Sequence, residues 1–344
     1  MVNPNLLEVE IGRTPLIRYK GRVPNKNKIW IKRECDNPFG SHYDRVYLKL
    51  FKHCEEQGKI YPGDKVIETT SGAAGVSFAG IGRLLGYDCY VALPAGGEKA
   101  REEAIKSQLP NDDHLILTPA EEYISGFPKF LKKFLAEHKD YFFLNHSMGP
   151  RNKQIGRYEN NEITLKALEE IAKEVVEEIE VDYFIPAVGN GSSVLGPGRE
   201  FKRVSPKIKI IAFETFQSAV AYEQMYPNEY ERIFGIKPGT LSRHRLPGTS
   251  YQGIDFPHIR NAVEGGIIDD VVLVSDTRMD EEYERITERN CTKKLPHWDM
   301  PLVDHEDLGR TGKAGIAVAL KIAEKVNGKN LVVIGYDKAE RYDS

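Results

Sequence analysis

Short apolar runs alternate with longer amphipathic stretches along most of the chain. The apolar runs predict β-strands, and apolar positions spaced three and four residues apart predict helices. The predicted strands cover residues 29–32, 65–68, 89–93, 114–117, 141–144, 183–186, 208–213, 271–274 and 331–334. The predicted helices cover residues 45–56, 74–85, 98–108, 120–137, 162–179 and 193–203. This alternation is typical of right-handed βαβ units, so the pattern predicts an α/β fold with parallel sheets.

One region departs from this alternation. Residues Tyr226 to Asp255 are rich in Pro, Gly, Arg and Tyr and show no clear period. A long irregular segment inside a compact domain is more often functional than idle. The chain of 344 residues is long enough for about two domains, and it contains no internal repeat.

Composition narrows the possible partners. The formal net charge of −3 gives no reason to expect nucleic acid. No apolar run approaches the length of about 18 residues that a membrane helix needs, and the N-terminus does not resemble a signal peptide. The four cysteines form no C-x-x-C pair, so neither a zinc site nor a redox motif is indicated. So few cysteines in a long chain fit a reducing compartment. The sequence therefore predicts a cytoplasmic protein that binds a small molecule.

A glycine-rich turn stands between the strand predicted at 183–186 and the helix predicted at 193–203. Glycines let backbone amides approach an anion, and a helix N-terminus favours negative charge. The segment therefore predicts a phosphate site, and a plain tight turn is the alternative. Its candidate binding residues are Gly189, Asn190, Gly191, Ser192 and Ser193.

Two further helix starts carry candidate binding residues. Thr70, Ser71 and Gly72 follow a predicted strand and either cap the next helix or bind a carboxylate. Thr311 and Lys313 lie in a segment that precedes a predicted helix ending near residue 325. That segment is either a capped, solvated helix start or an additional anion site. The polar cluster His297, Asp299, Asp304, His305 and Asp307 has no ligand spacing, so no metal is predicted.

The segment from Asn37 to Arg45 resembles the cofactor-lysine segment of the fold-type II pyridoxal-phosphate (PLP) enzymes, the group of cysteine synthase and threonine synthase. The family pattern reads N-P-x-G-S-x-K-D-R, and Tyr43 occupies the lysine position here. A phenol cannot form a Schiff base with an aldehyde, whereas an amine can. The chain therefore looks like a PLP enzyme without its anchoring residue.

Other segments carry the same resemblance nearly from end to end. Residues 12–16 match the opening G-x-T-P-L, and residues 337–344 match the terminal D-x-x-E-R-Y-x-S. Residues 188–196 resemble the loop that binds the PLP phosphate. Residues 68–75 are similar to the carboxylate loop T-S-G-N-T-G, with Ala73 where the family has the asparagine that touches the cofactor ring. Thr311 stands where a family hydroxyl bonds the pyridine nitrogen.

The resemblance implies a tryptophan synthase beta-like PLP fold with two doubly wound domains, each with a mainly parallel sheet. It implies a smaller domain at residues 43–150 and a larger one formed by residues 1–42 and 151–344. It also implies a homodimer and an amino-acid ligand.

Three hypotheses for function follow. The first is a protein that binds PLP noncovalently, or another phosphate-bearing molecule, as a pseudoenzyme or with altered chemistry. The second is an active amino-acid lyase or synthase that recruits another amine, for which Lys313 is a remote candidate. The third is a noncatalytic partner of a true relative. His42 and Tyr43 either transfer protons together or merely fill the space that PLP would occupy.

Overall fold

Two β-sheets form the framework of the chain in the computed structural model, which describes residues 9–241, 245–246, 248–249, 254–276, 296 and 307–342. The four-stranded sheet has the order β5-β4-β3-β6 and is parallel throughout. Its strands are β3 (Lys65–Thr69), β4 (Asp88–Pro94), β5 (Leu115–Thr118) and β6 (Tyr141–Phe143). The neighbouring helices are α1 (Tyr43–Glu56), α2 (Ala73–Leu85), α3 (Lys99–Lys106) and α4 (Phe127–Glu137).

The six-stranded sheet has the order β1-β2-β10-β7-β8-β9 and contains one antiparallel pair, β1 with β2. Its strands are β1 (Leu16–Arg18), β2 (Lys28–Lys32), β7 (Tyr183–Ile185), β8 (Lys209–Thr215), β9 (Asp270–Val274) and β10 (Asn330–Ile334). The other helices are α5 (Glu162–Glu178), α6 (Ser192–Val204), α7 (Val220–Met225), α8 (Glu229–Phe234), α9 (Pro257–Glu264) and α10 (Arg310–Ala323). None of the helices in these described ranges is long and apolar enough to cross a bilayer.

Continuous apolar strands lie at the centre of the larger sheet. In β10 the side chains from Leu331 to Ile334 are all buried, because helices or loops cover both faces. Such strands read as uninterrupted apolar runs, which is the pattern expected of parallel sheets. Helix α10 packs against β10. Helix α5 is capped by Asn161, whose side chain accepts hydrogen bonds from the amides of Ile163 and Thr164.

The structure confirms the predicted α/β fold and corrects four details of the elements. The helix predicted at 120–137 is a 3₁₀ turn, Tyr123–Gly126, followed by α4. The segment around Thr311 does not precede a helix but forms the first turns of α10. The region predicted to be irregular contains α8, and the short edge strand β1 had no clear sequence signal.

A buried ion network fixes the beginning of α1. The guanidinium of Arg45 makes two hydrogen bonds to Glu34, at 2.7 and 2.9 Å, and two to Glu174, at 2.6 and 2.8 Å. Burial acts to raise the pKa of Glu34, but Arg45 lowers it below its ordinary value. Lys32 makes a further ion pair with Glu174, at 2.6 Å. The network therefore joins α1 to the end of β2 and to α5.

Removing Arg45 should be strongly destabilising. In the Arg45→Met variant the carboxylate of Glu34 stays buried without its main cationic partner, so we expect a loss of about 3–5 kcal/mol in the free energy of unfolding. Urea denaturation measures this change. The matched control is Arg232→Met, which breaks the exposed pair with Glu229 and should leave the unfolding midpoint nearly unchanged. Equal losses in the two variants would contradict the proposed importance of the buried network.

Candidate functional site

A cavity of about 190 Å³ lies where the C-terminal ends of strands from both sheets converge. Segments that follow β3, β6, β7 and β10 line it, together with the first turn of α10. Ligands of open α/β sheets bind outside the carboxyl ends of the strands, so this is the position at which a binding site is expected.

The loop between β7 and α6 offers open backbone amides to this cavity. Within the described part of the chain, the amides of Gly189, Asn190, Gly191 and Ser193 donate to no protein acceptor. Gly191 has a φ of +89°, and a Cβ there would lie 2.5 Å from the amide nitrogen of Ile259. Only glycine therefore fits this position, and the loop forms a cradle suited to an anion.

The segment after β3 forms a second helix start on the same cavity. Thr70 Oγ1 accepts a hydrogen bond from the amide of Gly72, at 2.9 Å. The amides of Ala73 and Ala74, both in the first turn of α2, have no acceptor among the described residues. Arg101 covers this loop closely, because a Cβ at Gly72 would lie 2.3 Å from its guanidinium.

His42 and Tyr43 form part of the cavity wall. Their rings lie 4.1 Å apart, and the ring of Tyr336 packs edge-on against His42 at 5.1 Å. Burial raises the pKa of Tyr43 well above its ordinary value, with Glu68 adding to the effect. Burial lowers the pKa of His42 to about 4. At neutral pH this part of the wall therefore presents a protonated phenol and an uncharged imidazole.

Four polar side chains that the sequence did not single out form a connected network. His146 Nδ1 lies 3.0 Å from the hydroxyl of Tyr47 and 3.2 Å from Glu68 Oε2. His146 Nε2 lies 3.1 Å from Ser147 Oγ. Ser147 also accepts a hydrogen bond from the side-chain amide of Asn190, at 3.3 Å. The available sequence signal was the polar run Asn145 to Ser147 directly after a predicted strand, where parallel sheets place functional side chains.

A buried ion pair closes the opposite side of the cavity. Arg101 donates to Asp337 at 3.0 Å, and both side chains are almost completely buried. The hydroxyl of Tyr342 donates to the same carboxylate, and its ring lies 4.4 Å from the guanidinium. Burial raises the pKa of Asp337, although Arg101 opposes that effect. These contacts hold α3 against the C-terminal segment.

Nearly all candidate site residues from the sequence analysis line this one cavity. The lining includes His42, Tyr43, Thr70, Ser71, Gly72, Ala73, Gly189, Asn190, Ser193 and Thr311. Gly191 and Ser192 belong to the same loop but do not line the cavity. Neither Lys313 nor any other lysine of the described residues lines it. The described ranges contain no group of three potential metal ligands, and most of the polar cluster at 297–307 lies outside them.

Comparisons with known proteins point in one direction. The sequence profile of the family described as pyridoxal-phosphate dependent enzyme matches residues 7–291. The cysteine synthase of Staphylococcus aureus strain Mu50 is 27% identical over 337 residues, covering 96% of this chain and 93% of the relative.

Solved structures show the same likeness. A cysteine synthase from Entamoeba histolytica has a TM-score of 0.75 and 26% identity, covering 99% of this chain and 89% of its own. A hydrogen sulfide-producing enzyme from Fusobacterium nucleatum has a TM-score of 0.75 and 23% identity, covering 98% of this chain and 99% of its own. The likeness therefore extends over the whole fold.

The buried His42 should make the protein sensitive to acid. Because its pKa is about 4 in the folded state and 6.5 ordinarily, the unfolded chain binds the proton first as the pH falls. The contribution of the uncharged His42 to the free energy of unfolding is complete above pH 6.5 and is lost as the pH falls towards 4. We expect the His42→Phe variant to lose less stability over this interval, by about 3 kcal/mol near pH 4. Urea denaturation at several pH values measures it, and parallel profiles for both proteins would contradict the prediction.

Proposed function

Because the chain belongs to the family of pyridoxal-phosphate dependent enzymes, we propose that it is a divergent cysteine synthase-like protein that binds PLP without a covalent bond. The family and the cysteine synthase relatives imply PLP as the cofactor. The observation that carries the proposal is the position of Tyr43. It lines the cavity at the site of the family's lysine, and no lysine of the described residues lines the cavity with it.

The cavity fits the phosphate end of PLP. The loop from Gly189 to Ser193 supplies four amides that need an acceptor and a helix N-terminus behind them. We assign the phosphate to this loop. Thr311 lines the same cavity and is the hydroxyl that would face the pyridine nitrogen. Both assignments follow the resemblance of residues 188–196 and of Thr311 to the family's segments. Neither assignment depends on the residue at position 43.

The reactive end of the cofactor is less well matched. PLP supplies an aldehyde and an electron-withdrawing ring to reactions of amino acids. Tyr43 cannot bond to that aldehyde, and its raised pKa makes it a poor base at neutral pH. Ala73 has no side-chain amide to contact the ring. We therefore propose that Thr70, Ser71 and Gly72 bind a substrate carboxylate while ordinary β-replacement is lost or greatly slowed.

We also propose the two domains that the family resemblance implies, residues 43–150 and residues 1–42 with 151–344. The four-stranded sheet lies wholly within residues 43–150 and carries the Thr70–Gly72 loop. The six-stranded sheet carries the phosphate loop. We propose that the smaller unit is the one that adjusts around a bound amino acid, and that the chain forms a homodimer as the family resemblance implies.

Borohydride reduction tests the noncovalent mode of binding. Wild-type protein is mixed with PLP, reduced, digested and mapped by mass spectrometry. We expect no pyridoxyl group on any amine of the cavity, because the described wall contains no lysine. The Tyr43→Lys variant should acquire the group at position 43. An adduct on a cavity amine in the wild-type protein would refute the proposal.

Two controls sharpen this experiment. Tyr61 is 62% exposed, so Tyr61→Lys reports how often a new surface lysine is modified without a binding site. The Tyr43→Lys variant is also assayed for cysteine formation from an activated serine and sulfide. We expect it to remain far below a true synthase, since Ala73 still lacks the ring contact. Full activity in this single variant would show that Tyr43 alone separates the protein from its relatives.

The phosphate assignment predicts a preference for PLP over pyridoxal, which lacks the phosphate. We expect PLP to bind at least about tenfold more tightly, equivalent to about 1.4 kcal/mol. The Gly191→Val variant should abolish this preference because its side chain meets the backbone of α9. Gly63→Val is the control, since Gly63 also has a positive φ of +100° but open space around it. Titration of protein fluorescence measures both affinities, and an unchanged preference in Gly191→Val would contradict the assignment.

A further inference from the structure

A chain of polar side chains begins at the cavity wall and ends at a buried carboxylate. It runs from Ser147 to His146 and from His146 to Tyr47 and Glu68. Glu68 is 1% exposed, whereas Ser147 is partly exposed and lines the cavity. Phosphate binding by backbone amides does not require this series of side chains, so the proposed function leaves the series unexplained.

The surrounding contacts favour one direction for its hydrogen bonds. Asn190 Oδ1 accepts from the amide and the hydroxyl of Ser192, at 3.0 and 2.7 Å, so its NH₂ group faces Ser147. Ser147 Oγ accepts that hydrogen bond, which leaves its own proton to donate to His146 Nε2, 3.1 Å away. The buried carboxylate of Glu68, 3.2 Å away, favours the proton of the imidazole on Nδ1. Nε2 is then free to accept the proton of Ser147.

The two other candidates for proton transfer in the cavity are poorly suited to it. Burial raises the pKa of Tyr43, so the phenol holds its proton at neutral pH. Burial lowers the pKa of His42, which makes it a weak base, and its Nε2 is bonded to Ser193 at 3.2 Å. A hydroxyl aligned with an imidazole and a buried acid is the arrangement that activates serine in hydrolases of unrelated folds.

We propose that Ser147 is a nucleophile towards small carboxylic esters, with His146 as its general base. Ser147 Oγ forms a bond to the carbonyl carbon while its proton passes to His146 Nε2. The ester C–O bond then breaks, and the alcohol leaves with that proton. Water attacks the acyl-serine with the help of the same imidazole, releasing the carboxylic acid and restoring the hydroxyl. Tyr47 and Glu68 are positioning residues that act through His146.

The cavity indicates the class of ester. Its apolar wall, which includes Ile124, Phe127, Leu131 and Met148, suits an acyl group without charge. The volume of about 190 Å³ limits that group to a small one. Asn190, Ala73 and Ala74 line the same cavity, and we assign the side-chain NH₂ of Asn190 and the open amides of Ala73 and Ala74 as donors to a developing oxyanion. The activity requires no cofactor.

A fluorophosphonate probe tests this inference directly. Such a probe is attacked by activated serines, which form an O–P bond as the P–F bond breaks and fluoride leaves with the serine proton. Protein freed of PLP should be labelled at Ser147, and the Ser147→Ala variant should lose the label. The same pair should differ in hydrolysis of p-nitrophenyl acetate. Ser107→Ala, at an exposed serine outside the cavity, should leave both readouts unchanged.

The role of His146 is tested by chemical rescue. His146→Ala keeps the backbone contacts to Glu68 and Thr164 and removes only the ring. We expect labelling to slow by about 100-fold or more, and added imidazole to restore part of the rate. Imidazole should not restore labelling of Ser147→Ala. In Glu68→Gln the maximal labelling rate should fall by at least about tenfold, with little change in the probe concentration for half-maximal rate.

No labelling of the wild-type protein, or labelling that persists in Ser147→Ala, would overturn the inference. Failure of imidazole to rescue His146→Ala would also overturn the assigned base. These outcomes are independent of PLP affinity, because the labelling experiments contain no PLP. Protection of Ser147 by added PLP would concern the proposed function alone, since it reports that the cofactor occupies the same cavity.

Discussion

The guanidinium of Arg45, held between the buried carboxylate of Glu34 and the partly buried carboxylate of Glu174, is the constraint on which the candidate site depends. It anchors the first turn of α1 to the end of β2 through Glu34 and to α5 through Glu174. A buried charge cannot move away from its partners without a large desolvation cost. His42 and Tyr43 stand within three residues of this anchor, so their backbone stays in place whatever their side chains are. The network therefore fixes the backbone from which Tyr43 lines the cavity.

The two ends of the cavity respond differently to sequence change for a physical reason. The proposed phosphate site uses backbone amides, and its main requirement on the sequence is a residue without a side chain at position 191. The reactive end depends on particular functional groups, an amine and a ring-contacting amide in the family, and each is lost by one substitution. Tyr43 and Ala73 occupy those two positions. The proposed anion binding at the loop therefore does not depend on the two residues that depart from the family pattern.

The sequence predicted the alternation of strands and helices because buried parallel strands are uninterrupted apolar runs. It also indicated the loop from Gly189 to Ser193, most of which lines the cavity, and the phosphate role of that loop stays a prediction. It missed β1, which is only three residues long and lies at a sheet edge. It missed the Arg101–Asp337 pair and the role of His146, because the partners are 236 and 78 residues apart in the chain. The contact of His146 with Glu68 arises when β6 pairs with β3, and the Arg101–Asp337 pair arises only when the two sheets come together.

Asn190 connects the two activities argued for this cavity. Its backbone belongs to the loop that cradles an anion, and its side chain orients the hydroxyl of Ser147. The bonds from Ser192 that fix the amide of Asn190 come from the first residue of α6, so the helix start sets both features together. An anion bound to the loop amides would hold that helix start, and with it the donor that faces Ser147. The proposed anion binding and the proposed alignment of Ser147 therefore depend on the same loop.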